Sequence, residues 1–450
     1  MTEYRTILER ARDQFPAPEM PLDGVLRRRD RKQRIRRIGT AVLALAVAAV
    51  AIGGVIRAFD RAQTPPRPAN LPSTPKAWTR VPFPSSPGDA VLSITAGGPG
   101  LVATGLSDSD EDSVIWTSPD GRTWSRVQFR LGSVYDVTTG GPGLVAVGTR
   151  AFGGGAGTGD EAPVWTSADG LTWTEVPSDP VFRGAGMRAV TAGGPGLVSV
   201  GSTLDGPQAW FSSDGVTWER ASVPPAPPNV AHAERQAEAW MRDVAVAGDR
   251  LVAVGVIGIE VAPNAGRYFP AIWTSTDGVT WTEISLDQNV FPSAIEELRS
   301  VAAGPGGFVA VGGVYANVPM VWKSEDGLSW HRVSDEQDAF VSRSSSGQDT
   351  SKVLHFGVRS VAAGSGGYVA LGGDQWCING YPFLCSPAEG AAWTSTDGET
   401  WVRVPPGPVF ELGRATRVEV YSVTAWGSRF VAAGTYGEGV AVWISEPPEG

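Results

Sequence analysis

Six copies of one nonapeptide, Trp-x-Ser-x-Asp-Gly-x-Thr/Ser-Trp, recur along the 450-residue chain at Trp116–Trp124, Trp165–Trp173, Trp210–Trp218, Trp273–Trp281, Trp322–Trp330 and Trp393–Trp401. A second unit alternates with them and occurs seven times. It opens on an apolar marker (Ile94, Val137, Val190, Val244, Val301, Val361, Val423) and ends eleven positions later on a glycine (Gly105, Gly148, Gly201, Gly255, Gly312, Gly372, Gly434). Both units set short β-branched runs around Gly, Pro or Asp-Gly turns, the pattern of β-hairpins. Two hairpins make a four-stranded blade, and blades repeated at a fixed period make a propeller.

The expected fold is all-β, a seven-bladed β-propeller with strands a to d counted outward from the centre. The seventh copy is split. Val442-Trp443-Ile444-Ser445 reads as a strand c without its strand d, and Ala77-Trp78-Thr79-Arg80-Val81 reads as the missing strand. The spacing therefore predicts split-blade closure, with an N-terminal strand d joining C-terminal strands a–c. Two Trp per blade explain fourteen of the 17 in the chain, leaving Trp240, Trp376 and Trp426. A 42% hydrophobic content with mean hydropathy −0.07 excludes a disordered chain, and 57 Gly with 35 Pro argue against a helical bundle. Only two Cys exclude a disulfide-dense scaffold.

The first sixty residues differ. They carry 12 Lys/Arg against 7 Asp/Glu, whereas the whole chain has a net charge of −10. Arg27 to Arg37 form a basic cluster, and Ile38 to Ile56 follow without a charge. Nineteen helical residues at ~1.5 Å each span about 28 Å, close to the hydrocarbon thickness of a bilayer. The long preceding segment and the lack of an Ala-x-Ala site after the run favour an uncleaved signal anchor over a cleaved signal peptide. The expected domains are a cytoplasmic basic segment (1–37), a transmembrane helix (38–56), a Pro-rich stalk (57–76) and the propeller (77–446). Positive charge before the span places the N-terminus in the cytoplasm and the propeller outside the cell membrane. Beside a span, the Arg cluster reads as an orientation signal and a contact for anionic lipid, so no nucleic-acid partner is expected. Arg strongly outnumbers Lys (only Lys32, Lys76, Lys323 and Lys352), which is compatible with a GC-rich bacterium.

The nonapeptide resembles the Asp-box, or BNR repeat, of sialidases, sortilin-type receptors, some glucan hydrolases and the photosystem II assembly factor propeller. That resemblance covers residues 77–446. It implies structural work for Asp120, Asp169, Asp214, Asp277, Asp326 and Asp397: Ser and Asp hold the c–d turn, Gly takes positive φ, and Trp packs between blades. Six identical copies around a ring argue against catalysis or calcium binding by these carboxylates.

Interval lengths locate the working face. The a–b and c–d intervals are constant, whereas b–c and d–a intervals vary, so length variation falls on one face of the ring, where binding usually resides. There lie Gly153–Gly159, Val223–Pro228, Ser342–Ser351, and a loop bracketed by Cys377 and Cys385. Outside a membrane an intraloop disulfide is expected. It would stiffen a tip bearing Trp376, Tyr381 and Phe383, either as a contact loop or as a loop folded on its own small core.

Two positions before each marker stand Leu92, Tyr135, Arg188, Arg242, Arg299, Arg359 and Tyr421. On innermost strands these would ring the channel mouth, and four arginines there suit a carboxylate or sulfate on an anionic peptide, protein or glycan. The competing reading pairs each Arg with a local acid such as Asp243, Glu296 or Glu297, or packs its stem between blades. The chain is accordingly read as a membrane-anchored binding or assembly module with no cofactor or metal, since His232, His331 and His355 are scattered. An exo-sialidase or other glycoside hydrolase is the alternative. Against it stand seven blades rather than six, the absence of an Arg-Ile-Pro segment, and no assignable Glu partner for Tyr135 or Tyr421. The acids Asp108, Asp110, Glu111 and Asp112 form no recognisable catalytic pair.

Overall fold

The computed structural model describes residues 78–446 apart from 108–112, 130–131, 151–160, 226–237, 263–264, 287–289, 292–295, 315–318, 334–337, 341–352, 379–380, 386–388, 405–417 and 438. The basic segment, the 38–56 span and the stalk lie outside the described residues, as do Gly153–Gly159, Ser342–Ser351 and the acids at 108 and 110–112. Among the described residues no helix is long and apolar enough to cross a membrane.

Seven antiparallel sheets make up the fold, six of four strands and one of five. Their innermost strands are Ala90–Gly97, Ser133–Gly140, Ala185–Gly193, Glu238–Ala247, Glu296–Gly304, Val353–Gly364 and Val418–Trp426. Each touches the next in chain order, and the last touches the first. The chain is a seven-bladed propeller. In the seventh sheet Trp78–Val81 pairs with Gly439–Ser445, in register from Trp78↔Ser445 to Val81↔Val442.

The core is divided among the blade boundaries. Seven apolar clusters each join two neighbouring blades; one combines Ile94, Leu101 and Trp116 with Val431, Val442 and Ile444. The strand-c tryptophans, Trp116, Trp165, Trp210, Trp273, Trp322, Trp393 and Trp443, are fully buried there. Several are covered from the d–a loops by a phenylalanine. Phe291 stacks on Trp322 at 5.1 Å, and Phe340 on Trp393 at 5.7 Å. The same loops satisfy the indole N–H: Trp116 donates to the Pro84 carbonyl at 2.8 Å and Trp210 to that of Val181 at 3.2 Å.

Each nonapeptide turn is a small hydrogen-bonded knot. In blade 3 the Asp214 Oδ1 accepts from the amides of Val216 (2.8 Å) and Thr217 (2.7 Å), and the Ser212 hydroxyl accepts from the Gly215 amide at 2.8 Å. Gly215 has φ 79°, a left-handed conformation that a side chain would strain. Trp218 then donates its indole N–H to the Gly215 carbonyl at 3.1 Å. Amide donation from the residue three ahead is the largest cause holding Asp120 and Asp214 down at about 2, and it lowers Asp169, Asp277 and Asp326 as well.

The inner hairpin contains a further feature repeated in every blade. In every blade the a–b register skips the residue at one shared position, Leu92, Tyr135, Arg188, Arg242, Arg299, Arg359 or Tyr421, and in blade 6 it skips Gly357 as well. Each is a β-bulge, in which an extra residue lacks a ladder partner and the strand bends. The terminal glycine of the repeat lies against this bulge. A Cβ added to Gly255 would stand 2.1 Å from the Trp240 carbonyl oxygen, and one on Gly201 would stand 1.9 Å from that of Gly186. The glycine is thus required by close backbone approach. Gly255→Ala should lower stability by about 2–3 kcal/mol through overpacking. Gly248→Ala, whose added Cβ meets nothing within 4 Å but sits at φ 59°, should cost about 1 kcal/mol. Urea midpoints compare the two, and equal shifts would refute the close-approach explanation.

Candidate functional site

The residue after each bulge fastens one blade to the next. Five marker amides donate across a blade boundary: Ile94 to Ser422 Oγ (3.1 Å), Val190 to Asp136 Oδ2 (2.9 Å), Val301 to Asp243 Oδ2 (2.9 Å), Val361 to Ser300 Oγ (3.3 Å) and Val423 to Ser360 Oγ (3.2 Å). Blade 3 has Ala189 at this position and offers no acceptor. Ser93 of blade 1 instead donates its hydroxyl to Asp136 Oδ1 at 2.7 Å. The two amides this leaves over are met within their own blades. Val244 donates to Asp243 Oδ1 at 2.8 Å, and the Val137 amide bonds Asp136. Two carboxylates therefore serve four amides and three serines serve three, so the belt is complete, as buried backbone donors require.

Asp136 and Asp243 are half-buried by surface exposure, yet protein surrounds them in the narrow centre of the ring. Desolvation pushes both carboxyls up, Asp136 to about 7 with the charge of Asp243 contributing. Asp243 was one expected partner for an arginine, but its two oxygens are taken by Val244 and Val301.

Above this belt the four bulge arginines have different surroundings. Arg242 and Arg299 both pair with Glu297, the latter at 3.3 Å. Arg359 lies 3.8 Å from Glu419 and 5.2 Å from the centre of the Tyr421 ring. Arg188 stacks over the Tyr135 ring at 4.3 Å and, among the described residues, pairs with no carboxylate. Three of the arginines thus have a local acid, through Glu297 and Glu419, and among the described residues Arg188 has none. Glu419 was missed in the sequence, although it occupies the same strand position in blade 7 as Glu297 in blade 5.

Tyr421 donates its hydroxyl to Glu419, so one tyrosine of the ring does have a glutamate partner. Burial and the Glu419 carboxylate raise the Tyr421 pKa, which keeps the phenol protonated and opposes its use as a nucleophile.

Between blades 4 and 5 a cavity of about 150 Å³ opens beside these arginines. Trp240, unassigned by the repeat, forms one wall with Tyr268; the rings lie 5.8 Å apart and tilted by 58°. Arg242, Arg299 and Glu297 form the polar side. Only the tertiary pairing of two strands and two blades assembles this set, so no local signal marked Tyr268. In blade 6, Cys377 and Cys385 pair opposite one another in a short hairpin ladder. Directly opposed residues stand ~4.5–5.5 Å apart at Cα, within disulfide reach.

No family model and no curated protein matches the chain. Solved structures do. A structure described as YCF48 bound to D1 peptide is 14% identical with a TM-score of 0.46, covering 85% of this chain and 100% of its own. A protein of unknown function from Dyadobacter fermentans is 14% identical with a TM-score of 0.39, covering 84% and 100%. The Cps50 (Swd1) propeller domain of Myceliophteria thermophila is 12% identical with a TM-score of 0.45, covering 81% and 99%. Likeness at this level concerns architecture and says nothing of ligands.

The raised Asp136 pKa has a signed consequence. A carboxyl at 3.8 when unfolded and about 7 when folded contributes most stability below pH 4, and that contribution is lost as pH rises through 7. Asp136→Asn removes the titration while an amide can still bond Ser93 and Val190. The variant should gain stability relative to the wild type between pH 5 and 8, read as the difference in thermal midpoints. A pH-independent difference would rule this out.

Proposed function

We propose that the chain is a membrane-anchored extracytoplasmic propeller that acts as a binding or assembly module, holding an anionic peptide or glycan on its variable-loop face. The observation that carries this reading is Arg188. Its guanidinium carbon lies over the Tyr135 ring, 4.3 Å from the ring centre, and the planar fork of N–H donors suits a carboxylate or sulfate. Arg242, Arg299 and Arg359, held by Glu297 and Glu419, supply positioned charge around it. The pairing of Trp78–Val81 with the C-terminal strands is read as the clasp of the ring, next to the stalk that would lift it from the membrane. A Cys377–Cys385 disulfide would brace one loop of the same face.

Poly-glutamate is a suitable probe for the full-length chain. Arg188→Ala should weaken its capture about tenfold at low salt while leaving the unfolding midpoint unchanged, and Arg188→Lys should restore only part, since one charge-assisted hydrogen bond contributes ~1.5–3 kcal/mol. Unaltered, salt-insensitive capture by the Ala variant would sink the site. For the topology, protease added to intact cells should remove a C-terminal epitope and spare an N-terminal one. The opposite pattern would reverse the orientation.

Glycoside hydrolysis of the sialidase type is the second reading, favoured by the Tyr421–Glu419 pair beside Arg359. The raised Tyr421 pKa weighs against it. Turnover of a fluorogenic sialoside by the full-length chain, abolished by Tyr421→Phe, would make it the preferred reading.

A further inference from the structure

The cavity between blades 4 and 5 has a composition that a simple anion cradle does not need. Two partly exposed aromatic side chains, Trp240 and Tyr268, face a space of about 150 Å³ with Val256 behind them. A space of that size admits a benzene-sized group. Gly313, on the neighbouring blade, contributes no side chain and keeps the space open. The polar side sets two arginines, Arg242 and Arg299, around the Glu297 carboxylate with which both pair. Aromatic residues and arginine around a desolvated pocket are the usual makeup of an energetic anchor point in a protein interface.

We infer that this cavity is an anchor pocket for one apolar side chain, Leu or Phe, carried within an acidic peptide segment of a protein partner. The apolar side chain enters between Trp240 and Tyr268, and flanking carboxylates meet Arg242 and Arg299. Geometry favours a side chain over a sugar ring. A pyranose stacks on a flat, open aromatic face, whereas these rings are tilted by 58° into a wedge and the Arg242 guanidinium stands 5.7 Å from the centre of the Trp240 ring. Charge favours acidic flanks, because the bulges of blades 3 and 6 on either side add Arg188 and Arg359. The inference rests on the variable face being the binding face, and it adds a preference that Arg188 alone cannot give.

The test uses fluorescein-labelled Asp-Glu-X-Asp-Glu peptides on the full-length chain, read by anisotropy. Peptides with X as Phe or Leu should bind at least about tenfold tighter than that with Ala, as expected for an anchor residue. Trp240→Ala and Gly313→Leu, the second filling the cavity without removing a contact group, should each abolish that preference. Trp240→Phe should keep most of it, and urea midpoints would identify any variant that merely unfolds. Binding without preference for X, a preference that survives both pocket variants, absence of binding by every peptide, or displacement of the Phe peptide by an oligouronate would overturn the proposal. Arg188→Ala should weaken all peptides alike and leave the X preference intact. Loss of the preference with the Arg188 effect retained would remove the anchor pocket only, whereas the reverse result would remove the Arg188 site only.

Discussion

The propeller depends on the belt of hydrogen bonds around its centre. Seven innermost strands converge there, each an edge strand whose marker amide points away from its own ladder. Side chains of neighbouring or own-blade residues accept all seven. Ser and Asp suit this position because a short side chain with a free oxygen can reach a backbone amide one strand away. Where Ala189 interrupts the series, Asp243 uses both oxygens. Its two-amide role is the same as that of Asp136, and the desolvation raising both pKa values follows from placing carboxyls in the inter-blade seam.

The bulge links structure to function. At one shared position in every blade it releases a residue from the ladder, and the close backbone approach beside it requires glycine on the facing strand. Seven scaffolding positions thereby become seven positions free to vary in chemistry. Leu92, Tyr135 and Tyr421 fill three of them, and arginine fills the other four. Charge on the face is then modulated two residues earlier, where Glu297 and Glu419 neutralise part of it and blade 3 carries Gly186 instead. Among the described residues no carboxylate pairs with Arg188, whose own blade has Gly186 and whose following blade has Trp240 at that position.

Much of the scaffold was legible. The nonapeptide gave the c–d turns, the constant eleven-residue interval gave the inner hairpins, and their number gave the blades. The bulges have a sequence mark too, in breaks of the two-residue alternation. Val91 and Ile94, Met187 and Val190, and Leu298 and Val301 are buried pairs three apart on a strand, which strict alternation forbids. The loop phenylalanines that cover the strand-c tryptophans were missed because Phe83, Phe182, Phe291 and Phe340 sit in segments of varying length.

By itself the sequence determined the architecture, because a fold built from one repeated unit writes its local rules many times over: the turn aspartates, the bulge glycines, the paired tryptophans. Tertiary structure alone decided which ring arginines are neutralised and where a cavity opens. Those outcomes depend on residues from separate strands meeting in space, Arg242 with Glu297 and Arg188 with Tyr135 across blade boundaries and Trp240 with Tyr268 within one blade, and no local period encodes that side-chain approach.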